Sequence, residues 1–211
     1  MKTTQVQCGY LPLVDCAPLI IAKELTFAAQ EGLDLVLWKQ PSWSALRDRL
    51  AFGHIDFAHM LSPMPVAMSL GLGGVPSRID ALMVLSINGA VIGVSNDLER
   101  KMRATGWTNG FESPHDASKA IFTATTERLR IGVPFPFSMH RMLLETWLSQ
   151  SPGFLPDKIE IVTVPPPQMA NAVQNGALDM LCVGEPWGSV AVQQGDASLI
   201  LPGSSIWEVS P

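Results

Sequence analysis

The stretch that most constrains this chain is residues 42–65, SWSALRDRLAFGHIDFAHMLSPMP. Ser42 is a good N-cap, and Leu46, Leu50 and Ala51 form an apolar stripe at helical spacing, so a helix is expected from Trp43. Gly53 stops it, and residues 55–58 are short enough for a buried strand. Ser62 is expected to cap a second helix with Pro63 at its first position, where a missing N–H costs nothing. Helix, strand and helix in that order define an α/β crossover. The two helix starts, with Trp43 in one first turn and His59 just ahead of the other, present backbone N–H groups and the positive end of the helix dipole. Such an arrangement suits a small anion, and it is also what an ordinary crossover looks like.

The 211 residues allow one large or two small domains. Hydrophobic residues make up 47% and charged residues 16%, which fits a well-buried α/β core and excludes a disordered or coiled-coil chain. A net charge of −5 without a Lys/Arg run argues against a general nucleic-acid binder. It leaves an anion ligand open, because local donors set a small site. Cys8, Cys16 and Cys182 are odd in number and lack CxxC spacing, so neither a disulfide framework nor a zinc site is indicated. The N-terminal MKTTQVQCGY lacks the apolar segment of an export signal, and no run reaches the length of a membrane span. The expectation from these features is a soluble cytosolic protein, or a periplasmic one if an export signal has been removed.

Along the rest of the chain, strands are expected at 4–10, 33–38, 90–95, 129–133, 159–164, 178–183 and 198–201. Helices are expected at 17–29, 118–128, 139–148, 168–174 and 186–194. The apolar run 81–85 and the strand 90–95 flank Ser86-Ile87-Asn88-Gly89, which reads either as a hairpin turn or as a crossover between lobes. The polar stretch 96–120 reads as a short helix plus loop and a natural domain boundary. Strands alternating with helices imply a parallel, doubly wound architecture.

In open α/β sheets ligands sit beyond the carboxyl ends of the strands. That rule selects the loops around Asp15-Cys16, Ser42-Trp43, Ser62-Pro63, residues 137–140 and Gly184-Glu185-Pro186. Their functional groups are mainly neutral donors: Trp43, His59, Asn88, His140 and the Gly184 N–H, with Asp15 and Glu185 as exceptions. His140 follows Ser138 in a helix first turn and reads as a ligand donor or as a capping histidine. His54 and His115 fall in polar turns. Cys16 beside a helix start raises the question of a thiol nucleophile, but no protease-like context surrounds it. The cluster Gly71 to Gly74 lacks the Lys-Ser/Thr of a phosphate loop.

GYLPLVDCAPLIIAKE, the 42–74 stretch, VPFPFSMHRMLLETWL, VPPPQMANAVQNGALDMLCVGEPW and SIWEVSP together resemble the nitrate/bicarbonate-binding solute-receptor family of ABC transporters. The cytosolic nitrate/nitrite sensors of assimilation operons belong to that group. The resemblance implies a type II periplasmic-binding-protein fold, two α/β lobes closing on a small oxyanion, with no catalytic residue, metal or cofactor. Carried onto this sequence, it implies anion contacts from Trp43, Asn88 in the SING segment, His140 of FSMH and Gly184 of CVGEPW. Indole N–H, imidazole N–H, amide and backbone N–H donors suit nitrate, which is planar, singly charged and weakly hydrated.

The resemblance also sets expectations for organisation and partners. Residues 1–90 with 201–211 are expected to form a first, incomplete lobe, and 91–200 a second. Family members continue past SIWEVSP to a lysine that commonly closes the site, so the chain is expected to be truncated and to self-associate through an open face. The expected ligand is nitrate or nitrite, with an ABC permease or an RNA-binding antiterminator as partner. The alternatives are a bicarbonate receptor, or a small lyase on the same scaffold using Asp15, Cys16 or His140 as acid or base.

Overall fold

A computed structural model describes residues 3–208 and divides them into two compact units, 3–87 and 88–208. In the first unit, β1 (Thr4–Tyr10) is the central strand of a three-stranded parallel sheet, between β2 (Leu33–Lys39) and β3 (Phe57–Ala58). Register runs from Thr4 opposite Leu33 to Tyr10 opposite Lys39, and Cys8 and Gly9 pair with Phe57 and Ala58. Two crossovers build it. Helices α1 (Ala17–Glu24) and α2 (Phe27–Gln30) link β1 to β2, and α3 (Trp43–Ala51) links β2 to β3. A Cβ at Gly9 would overlap the end methyls of Leu46 and Ile55, so the glycine lets α3 and the turn behind it lie against β1. A short helix α4 (Met64–Ser69) follows, and Gly71 and Gly73, both at positive φ, end it.

The second unit carries a five-stranded sheet in the order β6 (Ile159–Thr163), β5 (Leu129–Val133), β7 (Met180–Gly184), β4 (Ala90–Ser95), β8 (Ala197–Pro202). Helices α5 (Asn96–Ala104), α6 (Pro114–Ala124) and α7 (Met139–Ser149) pack on one face; α8 (Met169–Gln174) and α9 (Trp187–Gln193) pack on the other. Strand alternation divides β7 between two cores. Met180 and Cys182 join Leu98, Met102, Ile121, Leu144 and Leu148, while Leu181 and Val183 join Met169, Val173 and Ala191.

Several expectations are corrected. The sheet is not wholly parallel: β4 runs antiparallel to both β7 and β8. The apolar run 81–85 forms no strand and leaves Leu82, Met83 and Val84 exposed, so Asn88-Gly89 is an entry into β4 rather than a hairpin turn. The stretch 96–120 is not a boundary, because α5 buries Leu98 and Met102, four residues apart on one face. The division falls at 87/88 instead of 90/91. Residues 201–208, expected in the first lobe, belong to the second unit, where Leu201 pairs with Ile92. Residues 209–211 lie outside the described residues. The expected helix 17–29 breaks where Thr26 takes a left-handed conformation, and Pro63 rather than Ser62 stands at the N-cap of α4.

Candidate functional site

All three first-unit strands point their carboxyl ends into loops that carry polar side chains. The loop after β1 holds Asp15 in a single 3-10 turn, the loop after β2 delivers Trp43, and β3 leads directly into His59. Trp43 is fixed by its helix start. The Ser42 hydroxyl accepts the Ala45 N–H at 3.2 Å, which places the indole at the first helical position, 1% exposed. His59 is set by the sheet, its backbone N–H donating to Gly9 O at 2.9 Å. The two rings meet edge to face, with centroids 5.3 Å apart and planes at 61°.

Three polar atoms of this cluster, Trp43 Nε1, His59 Nδ1 and Asp15 Oδ1, make no hydrogen bond among the described residues. Trp43 Nε1 and His59 Nδ1 are buried with no partner among the described residues. His59 Nε2 lies 3.2 Å from Asp15 Oδ1, an ion-pair distance, although that oxygen receives no aligned hydrogen bond. A buried donor without a partner costs about 1–3 kcal/mol, so an arrangement of this kind is kept where a ligand or water completes it. The neighbouring thiols are poor nucleophiles. Burial pushes Cys8 up to about 11 and raises Cys16 as well, and the Cys16 thiol donates to Leu13 O at 3.0 Å.

The second unit brings its three sequence-flagged residues to one end of its sheet. Gly184 closes β7 and pairs with Ala90 at the start of β4, where Glu185 N–H donates to Gly89 O at 3.1 Å. Asn88, two residues before β4, adopts a left-handed conformation at φ 63°, which asparagine tolerates better than most residues. Its Nδ2 lies 3.5 Å from Glu208 O. His140, largely buried, occupies the first turn of α7 beyond the adjacent strand β5. Ser138 caps that helix by accepting the Arg141 N–H at 3.3 Å. The antiparallel entry of β4 is what sets Asn88 beside the end of β7, and composition alone does not reveal strand direction.

His59 was not among the four residues that the resemblance carried over. The rule that ligands sit beyond strand carboxyl ends had already placed it in a candidate loop, and its burial against Trp43 singles it out. Among the described residues, no group of three or more His, Cys, Asp or Glu side chains is placed to hold a metal. No helix among them is long and apolar enough to cross a membrane.

The nitrate/nitrite binding protein NrtA of a Nostoc species is 37% identical over 217 residues, spanning 100% of this chain and 47% of the relative. The bicarbonate transport ATP-binding protein CmpC of Synechococcus elongatus is 33% identical over 214 residues, covering 31% of its own length. The crystal structure of the periplasmic nitrate-binding protein NrtA from Synechocystis matches with a TM-score of 0.81 and 33% identity, over 96% of this chain and 52% of that one. The chain thus spans about a third to a half of the length of these relatives. The architecture is the α/β fold of the periplasmic binding proteins. The NMT1-like family model matches residues 1–211, and the chain belongs to the NMT1-like family.

Proposed function

We propose that this chain forms part of a nitrate-binding protein, the substrate-binding component of an ABC importer, and that it holds its anion without turning it over. The observation that carries the proposal is Trp43, whose buried indole N–H stands in the first turn of α3 with no hydrogen-bond partner among the described residues. Trp43 is the proposed anion donor of the first unit, and Asn88, His140 and Gly184 are, separately, the candidate donors of the second. They supply N–H donors, which match an oxyanion that offers only acceptors. The chain's likeness to the nitrate-binding NrtA proteins of Nostoc and Synechocystis supports nitrate as the ligand. Nitrite enters as a second ligand of the same charge and donor demand.

The lyase reading places an acid or base at Asp15, Cys16 or His140. Burial holds the Cys16 thiol protonated, which removes it as a nucleophile near neutral pH. The CmpC relative favours a second reading, bicarbonate. Titrating nitrate, nitrite and bicarbonate separately into the protein tests both. Saturable nitrate binding with no product formed is expected; binding of bicarbonate alone would replace the ligand, and turnover of a carboxylate substrate would replace the class. The partner is an ABC permease in this reading. An RNA-binding antiterminator belongs with the cytosolic sensor alternative, and recovery from the periplasm or from the cytosol on fractionation separates the two.

A further inference from the structure

The first unit buries an ionisable donor that the four anion contacts leave out. His59 is 4% exposed, its Nε2 stands 3.2 Å from Asp15 Oδ1, its ring edges onto Trp43, and its Nδ1 is buried with no partner among the described residues. A carboxylate beside Nε2 favours the proton on that nitrogen. In the neutral ring Nδ1 then offers only a lone pair, and in the imidazolium it offers a second N–H. A lone pair repels an oxyanion that has no proton, whereas an N–H beside the Trp43 indole donates to it. Bicarbonate differs, because its own hydroxyl can donate to the neutral ring.

We propose that His59 is a proton-linked donor for the bound anion: nitrate binds with His59 protonated and takes up a proton, while bicarbonate binds to the neutral ring. This rests on the anion-binding reading above and deepens it by naming what separates the two ligand classes.

The surroundings of the ring leave Asp15 to respond to its charge. From β1, Cys8 meets the His59 backbone N–H, and burial keeps that thiol protonated up to about 11. Cys16, in the turn that bears Asp15, is likewise raised by burial. The element α3 contributes the uncharged Trp43. Asp15 is the charged side chain recorded against the ring among the described residues.

The test is calorimetry on the full protein from about pH 7 to about pH 9, in two buffers of different protonation enthalpy, for the parent and for His59→Gln. As pH rises across this range, nitrate affinity is expected to fall by up to about tenfold per pH unit. Proton uptake should approach one per nitrate, and bicarbonate affinity should stay nearly flat. His59→Gln keeps a neutral donor and is expected to lose most of the nitrate slope, which separates His59 from His140. Independently of that variant, the His59 Nδ1 resonance in parent protein should move from the lone-pair to the N–H range when nitrate saturates near pH 8. Nitrate binding with no proton uptake, a slope unchanged in folded His59→Gln, or a static Nδ1 resonance would overturn the inference and leave the anion reading standing. Failure of nitrate, nitrite and bicarbonate to bind at any pH would overturn both.

Discussion

At Gly9 a single hydrogen atom separates β1 from the side chains that anchor α3. Leu46 and Ile55 are both buried, so a methyl group there displaces two packed residues at once. Overpacking of this kind costs about 1–3 kcal/mol, and Gly9→Ala is expected to lower the melting temperature by several degrees. Because α3 carries Trp43, nitrate affinity should fall with it. An unchanged melting curve would mean that the two side chains repack freely. The thiols give a second prediction at this scale. Burial raises Cys8 from 9.0 to about 11 and drives Cys182 higher still. A group with a raised folded-state value stabilises fully below its unfolded value and loses that contribution as pH climbs through the folded one. Stability should therefore decline from about pH 9, with Cys8 contributing on the order of 2 kcal/mol across the window that ends near pH 11. Denaturant unfolding at pH 8 and pH 11 measures this. Replacing Cys8 by alanine should flatten part of the decline, and an equal decline in that variant would contradict it. The placement of Trp43 and His140 in helix first turns was legible in the sequence. The meeting of Trp43 with His59 was not, because β2 and β3, which lead into them, are brought together by pairing on either side of β1 rather than by any local spacing.

Among the elements, the serine caps were the most legible features, and Ser42 and Ser138 both accept the backbone N–H that their sequence positions predict. Ser42→Ala removes one such bond. It should cost about 1 kcal/mol of stability and loosen the turn that positions Trp43. Thermal unfolding of the variant checks the first effect, and no change in melting temperature would show the cap to be dispensable. The start of α6 was misplaced because its signal lies upstream: Ser113 accepts the Asp116 N–H and Pro114 occupies the first turn, inside a stretch read as loop for its polarity. Strand direction in β4 was illegible for a different reason. Its alternating apolar residues bury equally well in either orientation, and only the pairing with β7 and β8 decides. The run 81–85 shows the reverse error, an apolar pattern with no sheet to join.

For the whole molecule, the sequence supported an α/β chain of two units, and the structure divides it at 87/88. The polar stretch 96–120 misled because polarity marks solvent exposure, which a surface helix shares with a linker. Leu98 and Met102 were the apolar pair that could have revealed the helix. The two units differ in how they bury their apolar surface. The extended cores on both faces of the sheet belong to the second unit, while most exposed large apolar side chains belong to the first, including Val66, Leu70 and Leu82 to Val84. We propose that the capped helix α3 buries an indole whose N–H is held for an anion. Nitrate titration by calorimetry of the parent and of Trp43→Phe, which keeps the apolar ring and removes the donor, tests it most directly. A hydrogen bond to a charged partner is worth about 1.5–3 kcal/mol, so the parent should bind nitrate saturably and the variant roughly tenfold or more weakly. Equal affinity in the two, or no saturable binding by the parent, would contradict the account.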